Sequence, residues 1–166
     1  MIRSLKALPL TAARFAPFGE VLEATVQHRQ TMNDARFERY RDLARVDMAG
    51  DKGVQPSISI ARCRAATAFP YRLEMLERHP NSSQAFMPLS NFSFVVVVAP
   101  PAEAVDAGAI SAFITNGRQG INYHTGVWHM PMTGMQSEQE FLIVDRAEDS
   151  ALCDEHFLAD PVIIEL

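Results

Sequence analysis

Two histidines in one short segment are the first candidates for chemistry in this sequence. His124 and His129 lie in the glycine-rich stretch Gly117–Pro131, G-R-Q-G-I-N-Y-H-T-G-V-W-H-M-P, which also holds the single tryptophan, Trp128. The segment lies between two apolar, strand-like runs, so we expect two turns with a short strand between them. An imidazole changes its charge near neutral pH and is a common metal ligand. Either histidine alone is as often a hydrogen-bonded structural residue, but the pair favours a functional site.

A second group of polar side chains lies about 40 residues earlier. The alternation of residues predicts a strand that carries Glu77 and His79 on one face, then a turn at Pro80-Asn81-Ser82-Ser83, then a second strand that begins at Gln84. If Asn81 and Ser82 form a two-residue hairpin loop, His79 lies directly opposite Gln84. Opposed residues share a face of the sheet. We therefore expect Glu77, His79 and Gln84 to lie close together.

The two groups together suggest two kinds of chemistry. Histidine and carboxylate side chains that converge in this way in a closed sheet can hold a divalent transition metal. The same groups, with Tyr123 and His124, could instead perform acid–base catalysis without a metal. The metal signal is moderate, because a carboxamide is a poor ligand and the chain has no His-x-His pair. Glu77 and His79 could also form an exposed pair with no function.

Two arginines are candidates for binding an anionic substrate. Arg39 lies in a charge-rich stretch that could equally be a solvated face, and its guanidinium suits a bidentate contact with a carboxylate. Arg62 falls on the same face as Ile58 and Ile60 in a strand of clean period two, Pro56–Cys63. It either lies at the strand end in solvent or points into a site.

Composition limits the class of protein. The chain has 166 residues, enough for one domain spanning residues 1–166, and 48% of them are hydrophobic. The net charge of −5, without a long basic patch, argues against a nucleic-acid partner. The longest apolar run, Phe92–Pro101, is too short to span a membrane, and the N-terminal residues do not resemble a signal peptide. With only Cys63 and Cys153 and no C-x-x-C spacing, we expect a cytoplasmic protein with reduced thiols.

The remaining pattern predicts an all-β protein with little helix. Between eight and eleven short strands are separated by glycine or proline turns, which is typical of a β-sandwich or β-barrel. The nearly continuous valine run from Phe92 to Val98 predicts a strand buried on both faces. Other predicted elements are a helical turn from Ala12 to Phe15 capped by Thr11, an exposed loop over residues 25–36, a turn at Asp51-Lys52-Gly53, strands at 110–115 and 141–145, and a terminal strand at 162–166.

Several segments together resemble the ureidoglycolate lyase family. They are R-Y-R-D-L-A (Arg39–Ala44), E-R-H-P-N-S-S-Q-A-F-M-P-L (Glu77–Leu89), A-F-I-T-N-G-R-Q-G-I-N-Y-H-T-G-V-W-H (Ala112–His129) and F-L-I-V-D-R (Phe141–Arg146). The resemblance implies a cupin-like double-stranded β-helix, or jelly-roll barrel, that forms a homodimer. It also implies cleavage of (S)-ureidoglycolate to glyoxylate and urea in allantoin and purine breakdown, with a divalent metal, usually nickel.

The resemblance also suggests roles for individual residues. Against the cupin pattern, His79 and Gln84 take the places of a histidine and a glutamate of the first motif, His129 takes that of the second-motif histidine, and Glu77 falls where an earlier histidine stands. The expected metal ligands are Glu77, His79, Gln84 and His129. The expected catalytic residues are Tyr123, His129 and His124, of which His124 is the proton carrier, and the expected substrate-binding residues are Arg39, Arg62 and Gln84. The family usually has two histidines before the proline, where this chain has His129-Met130.

Three functions compete at this point. The first is the lyase, and the second is another metal-dependent enzyme on the same scaffold, since cupins host many chemistries. The third is a non-catalytic cupin that binds a small acid. The shared motifs extend beyond what a generic cupin needs, which favours the lyase. Whether the products are urea, or ammonia and carbon dioxide, stays open.

Overall fold

The structure is a computed structural model that describes residues 3–25, 29–48, 54–147 and 153–166. Fourteen strands form within these residues, and one four-residue helix, α1 (Ala12–Phe15), is the only α-helix among them. The strands are β1 (Arg3–Lys6), β2 (Leu8–Pro9), β3 (Gly19–Leu22), β4 (Arg29–Met32), β5 (Phe37–Tyr40), β6 (Pro56–Arg62), β7 (Tyr71–Arg78), β8 (Gln84–Pro88), β9 (Val95–Ala99), β10 (Ser111–Ile114), β11 (Gly120–Tyr123), β12 (Trp128–His129), β13 (Glu140–Arg146) and β14 (Asp154–Glu165). The prediction of an all-β fold with little helix is confirmed.

Two sheets build the barrel-like body of the protein. The larger has seven strands in the order β1-β14-β7-β12-β9-β10-β2, and the smaller has five in the order β3-β11-β8-β13-β6. The arrangement agrees with the predicted cupin-like barrel. The helical turn begins as expected, because the Thr11 hydroxyl accepts a hydrogen bond from the amide of Arg14. No helix in the described part of the chain is long and apolar enough to cross a bilayer.

The valine strand β9 separates two hydrophobic clusters. Val96 and Val98 face the space between the sheets, where they pack with Phe86, Ile121 and Phe141 of the smaller sheet. Val95 and Val97, which alternate with them, belong to a second cluster on the other face of the larger sheet. All five residues of β9 are buried, as the apolar run predicted. A fully buried strand therefore pairs with β12, the strand that carries His129.

The predicted hairpin of β7 and β8 is wrong. Strand β7 pairs with β14 and β12 in the larger sheet, whereas β8 pairs with β11 and β13 in the smaller one. The turn between them is bonded elsewhere: the Ser83 amide donates to the Asp47 carbonyl, and Ser82 forms a bridge with Met48. Because these partners hold the turn, the chain crosses from one sheet to the other. Glu77 consequently faces His129 of β12 rather than Phe86.

Other differences concern exposed segments. Within the predicted loop at 25–36, residues 29–32 form strand β4, which pairs with β5 in a separate two-stranded hairpin. The terminal strand is longer than predicted, because β14 begins at Asp154 and its register along β7 shifts between Phe157 and Val162. The predicted turn at 51–53 lies outside the described residues.

Gly19 makes a close contact that a larger residue would prevent. It lies in β3 opposite Tyr123, and an added Cβ would stand only 1.9 Å from the carbonyl oxygen of Asn122. We expect Gly19→Ala to lower the free energy of unfolding by about 3 kcal/mol or more, because the clash is with backbone that cannot rotate away. The measurement is urea denaturation beside Gly108→Ala, where the new Cβ would meet only the side chain of Asp106. Equal stability of the two variants would contradict the prediction.

Candidate metal and active site

Strands β7 and β12 bring a carboxylate and an imidazole together inside the barrel. Glu77 and His129 are opposed in the antiparallel pair, so their side chains share a face, and Nε2 of His129 lies 3.5 Å from Oε1 of Glu77. His79 follows on β7's inner face, with its ring stacked on that of His129 at 5.4 Å between centroids. One ligand atom from each of the three lies within 4.8 Å of the others. We call these three residues the metal cluster.

The tautomer of His129 is fixed by its backbone. Its Nδ1 lies 3.0 Å from the carbonyl oxygen of Val127, which can only accept a hydrogen bond, so Nδ1 carries the proton. Nε2 then presents a lone pair toward Glu77. A bond from the second ring nitrogen to a carbonyl is the arrangement that orients metal-binding histidines.

Three buried polar atoms around this point have no hydrogen-bond partner among the described residues. They are Nε2 of His129, Nε2 of His79 and Oε1 of Gln84. Each unpaired buried polar atom costs about 1–3 kcal/mol. A single cation would satisfy several of them at once. Ligand atoms about 2.1 Å from one ion are at most about 4.2 Å apart, so the cluster needs only a small contraction. The residues present therefore fit a divalent metal.

The protonation of the cluster also suits a metal. Burial alone raises the pKa of Glu77, but its interactions with His129, and to a smaller extent with His79 and Cys153, outweigh that effect and leave the pKa below its ordinary value. Burial and the neighbouring His129 lower the pKa of His79, against the opposing influence of Glu77, Asp145 and Gln84. At neutral pH both side chains are thus in the deprotonated form that binds a cation.

Cys153 contacts the carboxylate oxygen of Glu77 that does not face His129. Its thiol donates to this oxygen, Oε2, over 3.7 Å. Burial and the negative charge of Glu77 raise the pKa of the Cys153 thiol to about 11, so it stays protonated and remains a donor. The contact leaves Oε1 of Glu77 directed toward His129.

Tyr123 covers the other side of His129. The two rings stack with centroids 4.3 Å apart and planes 18° from parallel. Tyr123 comes from β11 of the smaller sheet, so the contact joins both sheets across the interior. Burial, with the charge of Glu77, raises the pKa of Tyr123, which keeps its hydroxyl protonated. The structure thus brings Tyr123 and His129 together, as the sequence suggested.

His124 lies outside this group. It follows β11 directly and its side chain is 43% exposed, with Nε2 3.3 Å from Oε1 of Glu20. Adjacent side chains of a strand point to opposite faces, and Tyr123 takes the inner one. The proton-carrier role of His124 therefore stays a prediction without a contact to the metal cluster.

Met130 stands at the position where the resemblance leads us to expect a second histidine. It is buried in the hydrophobic cluster on the outer face of the larger sheet, together with Trp128. The inner face at this point is held by His129 alone. A histidine at position 130 would thus face away from the metal cluster.

Asp145 is an inner-face residue that the sequence analysis did not select. Phe141 and Ile143 of β13 pack in the core between the sheets, so Asp145, two residues further, faces the same way. Its Oδ2 lies 3.5 Å from Nε2 of Gln84. The period-two pattern of β13 could have identified it, since it is the one charged residue on the inward-facing positions after Phe141.

The two candidate arginines have different surroundings. Arg62 lies at the end of β6 and pairs with Glu140 at 2.6 Å and with Glu138 at 3.8 Å, so its charge is already balanced at the surface. Arg39 is exposed on β5, opposite Gln30, and has no ion pair within the described ranges. Neither guanidinium contacts the metal cluster.

The chain is similar to known ureidoglycolate lyases over nearly its whole length. The family model described as ureidoglycolate lyase matches residues 2–165. Named ureidoglycolate lyases from Pseudomonas aeruginosa (strain LESB58) and Pseudomonas fluorescens (strain SBW25) are each 44% identical to it over 159 residues, which is 96% of this chain and 93% and 94% of theirs. That from Pseudomonas savastanoi pv. phaseolicola is 42% identical over 167 residues, 99% of this chain and 96% of its own.

Proposed function

Because the chain belongs to the ureidoglycolate lyase family, we propose that it cleaves ureidoglycolate at the metal cluster of Glu77, His79 and His129. The observation that supports this site is that one ligand atom from each of these three residues lies within 4.8 Å of the others. The alternatives of another cupin enzyme or a non-catalytic binder are not favoured. We take residues 1–166 as one functional domain, since the family match runs through both sheets. The two free cysteines fit the cytoplasm, where we place the protein.

The reaction moves one proton from the substrate's hydroxyl group to its ureido nitrogen and breaks the carbon–nitrogen bond between them. The central carbon of ureidoglycolate carries a hydroxyl, a carboxylate, a hydrogen and the ureido nitrogen. The hydroxyl loses its proton, the carbon–oxygen bond becomes a carbonyl, the carbon–nitrogen bond breaks and the nitrogen gains a proton. The products are glyoxylate and urea, which places the enzyme in allantoin and purine breakdown.

Glu77, His79 and His129 would hold the metal, and Gln84 would supply a fourth ligand or a contact to the substrate. A divalent ion there, for which nickel is our choice, would bind the substrate's carboxylate and make the hydroxyl group more acidic. Histidine and oxygen ligands suit first-row transition metals. Tyr123 keeps its proton at neutral pH and would donate a hydrogen bond to the departing urea.

The test is incubation of the purified protein with (S)-ureidoglycolate, with glyoxylate, urea and ammonia assayed separately. Equal amounts of urea and glyoxylate would support the lyase. Ammonia without urea would make the protein a hydrolase. No turnover with any divalent metal would contradict the proposed function.

Arg39 is the better candidate to hold the substrate carboxylate. The chain that follows its hairpin is bound to the smaller sheet: Asn122 donates to the Arg45 carbonyl, and Asp47 and Ser83 exchange hydrogen bonds. Asn122 is the strand neighbour of inward-facing Tyr123, so it holds this segment on the outer face of the sheet. What favours Arg39 over Arg62 is that its guanidinium has no ion pair among the described residues, whereas Arg62 is already paired with Glu140.

We expect Arg39→Ala to raise the KM for ureidoglycolate roughly tenfold to a hundredfold, because a hydrogen bond to a charged group contributes about 1.5–3 kcal/mol. Arg62→Ala is the matched control, since its guanidinium is paired with Glu140 and Glu138. Its KM should change less than about twofold, as expected for a surface ion pair. Steady-state kinetics of both variants decide the assignment. A larger effect at Arg62 would reverse it.

We propose that two copies associate through the exposed edge of the smaller sheet. Ile58 and Ile60 of the edge strand β6 are 73% and 62% exposed, and they pair with Val144 and Leu142 of β13. Exposed apolar side chains on an unpaired edge are typical of an interface.

The double change Ile58→Asp with Ile60→Asp should convert a dimer to a monomer, as measured by light scattering after gel filtration. Phe157→Asp is the control, because Phe157 is equally exposed, at 70%, but lies on β14 of the other sheet. A variant that stays dimeric would contradict this interface.

A further inference from the structure

We infer that Asp145 is a positioning residue that turns the amide oxygen of Gln84 toward the metal cluster. The inference deepens the proposed function and rests on it. Gln84 and Asp145 lie on the neighbouring strands β8 and β13, next to the last register pair, Ala85 with Val144. Their side chains meet on the inner face, where Nε2 of Gln84 donates to Oδ2 of Asp145 over 3.5 Å.

The carboxylate decides which end of the amide faces inward. A glutamine side chain presents two N–H donors at one end and an oxygen acceptor at the other, and its orientation follows from its partners. An ionised aspartate offers only acceptors, so the nitrogen end must turn to Asp145. The oxygen end of Gln84 is then left buried and without a partner among the described residues.

Gln84 is opposed to Tyr123 in the pair of β8 and β11, so the two side chains share the inner face of the smaller sheet. The ring of Tyr123 stacks on that of His129 in the metal cluster, which places Gln84 on the side of the sheet that faces the cluster. Asp145 contributes its negative charge from behind Gln84, whose neutral oxygen can approach a cation or accept from a ureido N–H. With the amide reversed, N–H groups would face the cluster and repel a cation.

The arrangement divides two properties of a carboxylate between two residues. The amide of Gln84 carries the oxygen, and Asp145 on the neighbouring strand, bonded to the nitrogen end of that amide, carries the negative charge. If the site needs one amide and one carboxylate, metal binding should survive when the two groups exchange positions. A glutamate at 84 can accept a hydrogen bond from the amide of an asparagine at 145.

Nickel binding to the metal-free protein tests the inference without turnover. Asp145→Asn is expected to weaken Ni²⁺ affinity about tenfold, at the lower end of the effect of outer ligand-orienting partners, because asparagine accepts either amide orientation. Gln84→Glu alone measures the effect of a carboxylate ligand at this position, and the double variant is compared with it. The double variant Gln84→Glu with Asp145→Asn should return to within about threefold of the unchanged protein. Isothermal calorimetry gives the affinities, and circular dichroism verifies the fold of each variant.

Glu140→Gln is the matched control, because Glu140 lies on the same strand but pairs with Arg62 at the surface. If Asp145→Asn matches this control in both Ni²⁺ affinity and KM, or if the double variant binds no better than Asp145→Asn, Asp145 does not orient Gln84. If Asp145→Asn raises KM but leaves the Ni²⁺ affinity unchanged, Asp145 still orients Gln84, and the Gln84 oxygen contacts the substrate rather than the metal. If the protein without substitutions neither binds Ni²⁺ nor turns over ureidoglycolate, the proposed function is wrong, and the inference that rests on it is wrong as well.

Discussion

His129→Ala should abolish turnover of ureidoglycolate and weaken metal binding by more than about a hundredfold. The loss should exceed the tenfold to hundredfold cost of removing an outer ligand-orienting partner, because His129 would be a direct ligand. Its Nε2 lone pair is aimed at the metal cluster by the bond from Nδ1 to Val127, and only 2% of the side chain is exposed. Alanine provides no atom that can replace it. Values of kcat/KM and the metal content after dialysis measure the two effects.

His124→Ala separates two hypotheses about the same segment. The sequence predicts His124 as the proton carrier, and loss of such a group lowers the rate about a hundredfold to ten-thousandfold. Its exposed position beside Glu20 instead leads us to expect less than about a threefold change. A large loss together with an altered pH profile would restore the proton-carrier role.

The stability of His129→Ala must be measured beside its activity and metal content, because His129 is also a packing residue. Its ring stacks between those of Tyr123 and His79, so removing it leaves a cavity as well as a missing ligand. Thermal unfolding of the metal-free protein reports the cavity, the lost bond to the Val127 carbonyl and the removed Nε2, without a contribution from a ligand. If His129→Ala retains metal binding and activity, the proposed centre is wrong.

Sequence patterns predicted the class of fold well because they report local alternation. The apolar β9 and the period-two β6 were recognised from residues close in the chain. Local alternation does not indicate which strands pair with each other. β7 and β8 are consecutive and joined by a short turn, yet they lie in different sheets, since Ser82 and Ser83 bond to residues near Asp47. Nothing in the turn itself indicates that bond.

The site could be predicted in part for the same reason. Glu77, His79 and Gln84 converge although the hairpin expected to unite them does not form, because both strands face one interior. Asp145 was missed since a single acidic residue at a strand end ordinarily indicates solvent. His124 was grouped with Tyr123 by chain proximity, whereas alternation places neighbours on opposite faces.

Removing the metal should inactivate the protein and lower its melting temperature, and adding Ni²⁺ should restore both. A cation bound only by the folded state stabilises it in proportion to the logarithm of its concentration. Without the cation, the unpaired atoms of His79, His129 and Gln84 remain buried at a cost. Chelator treatment, followed by activity and calorimetric unfolding with and without Ni²⁺, measures the effect. Magnesium is the control, because it prefers oxygen ligands to imidazole.

The metal-free protein should also lose stability as the pH falls below about 6.5, the ordinary pKa of histidine. The pKa of His79 is lower in the folded state, chiefly through burial, so the unfolded chain binds the proton first. Stability therefore rises with pH across the interval between the two pKa values and is lost as pH falls through it. His79→Gln should flatten this dependence, as urea denaturation between pH 5 and pH 7.5 would measure. The same slope in His79→Gln and the unchanged protein would assign the effect to other groups.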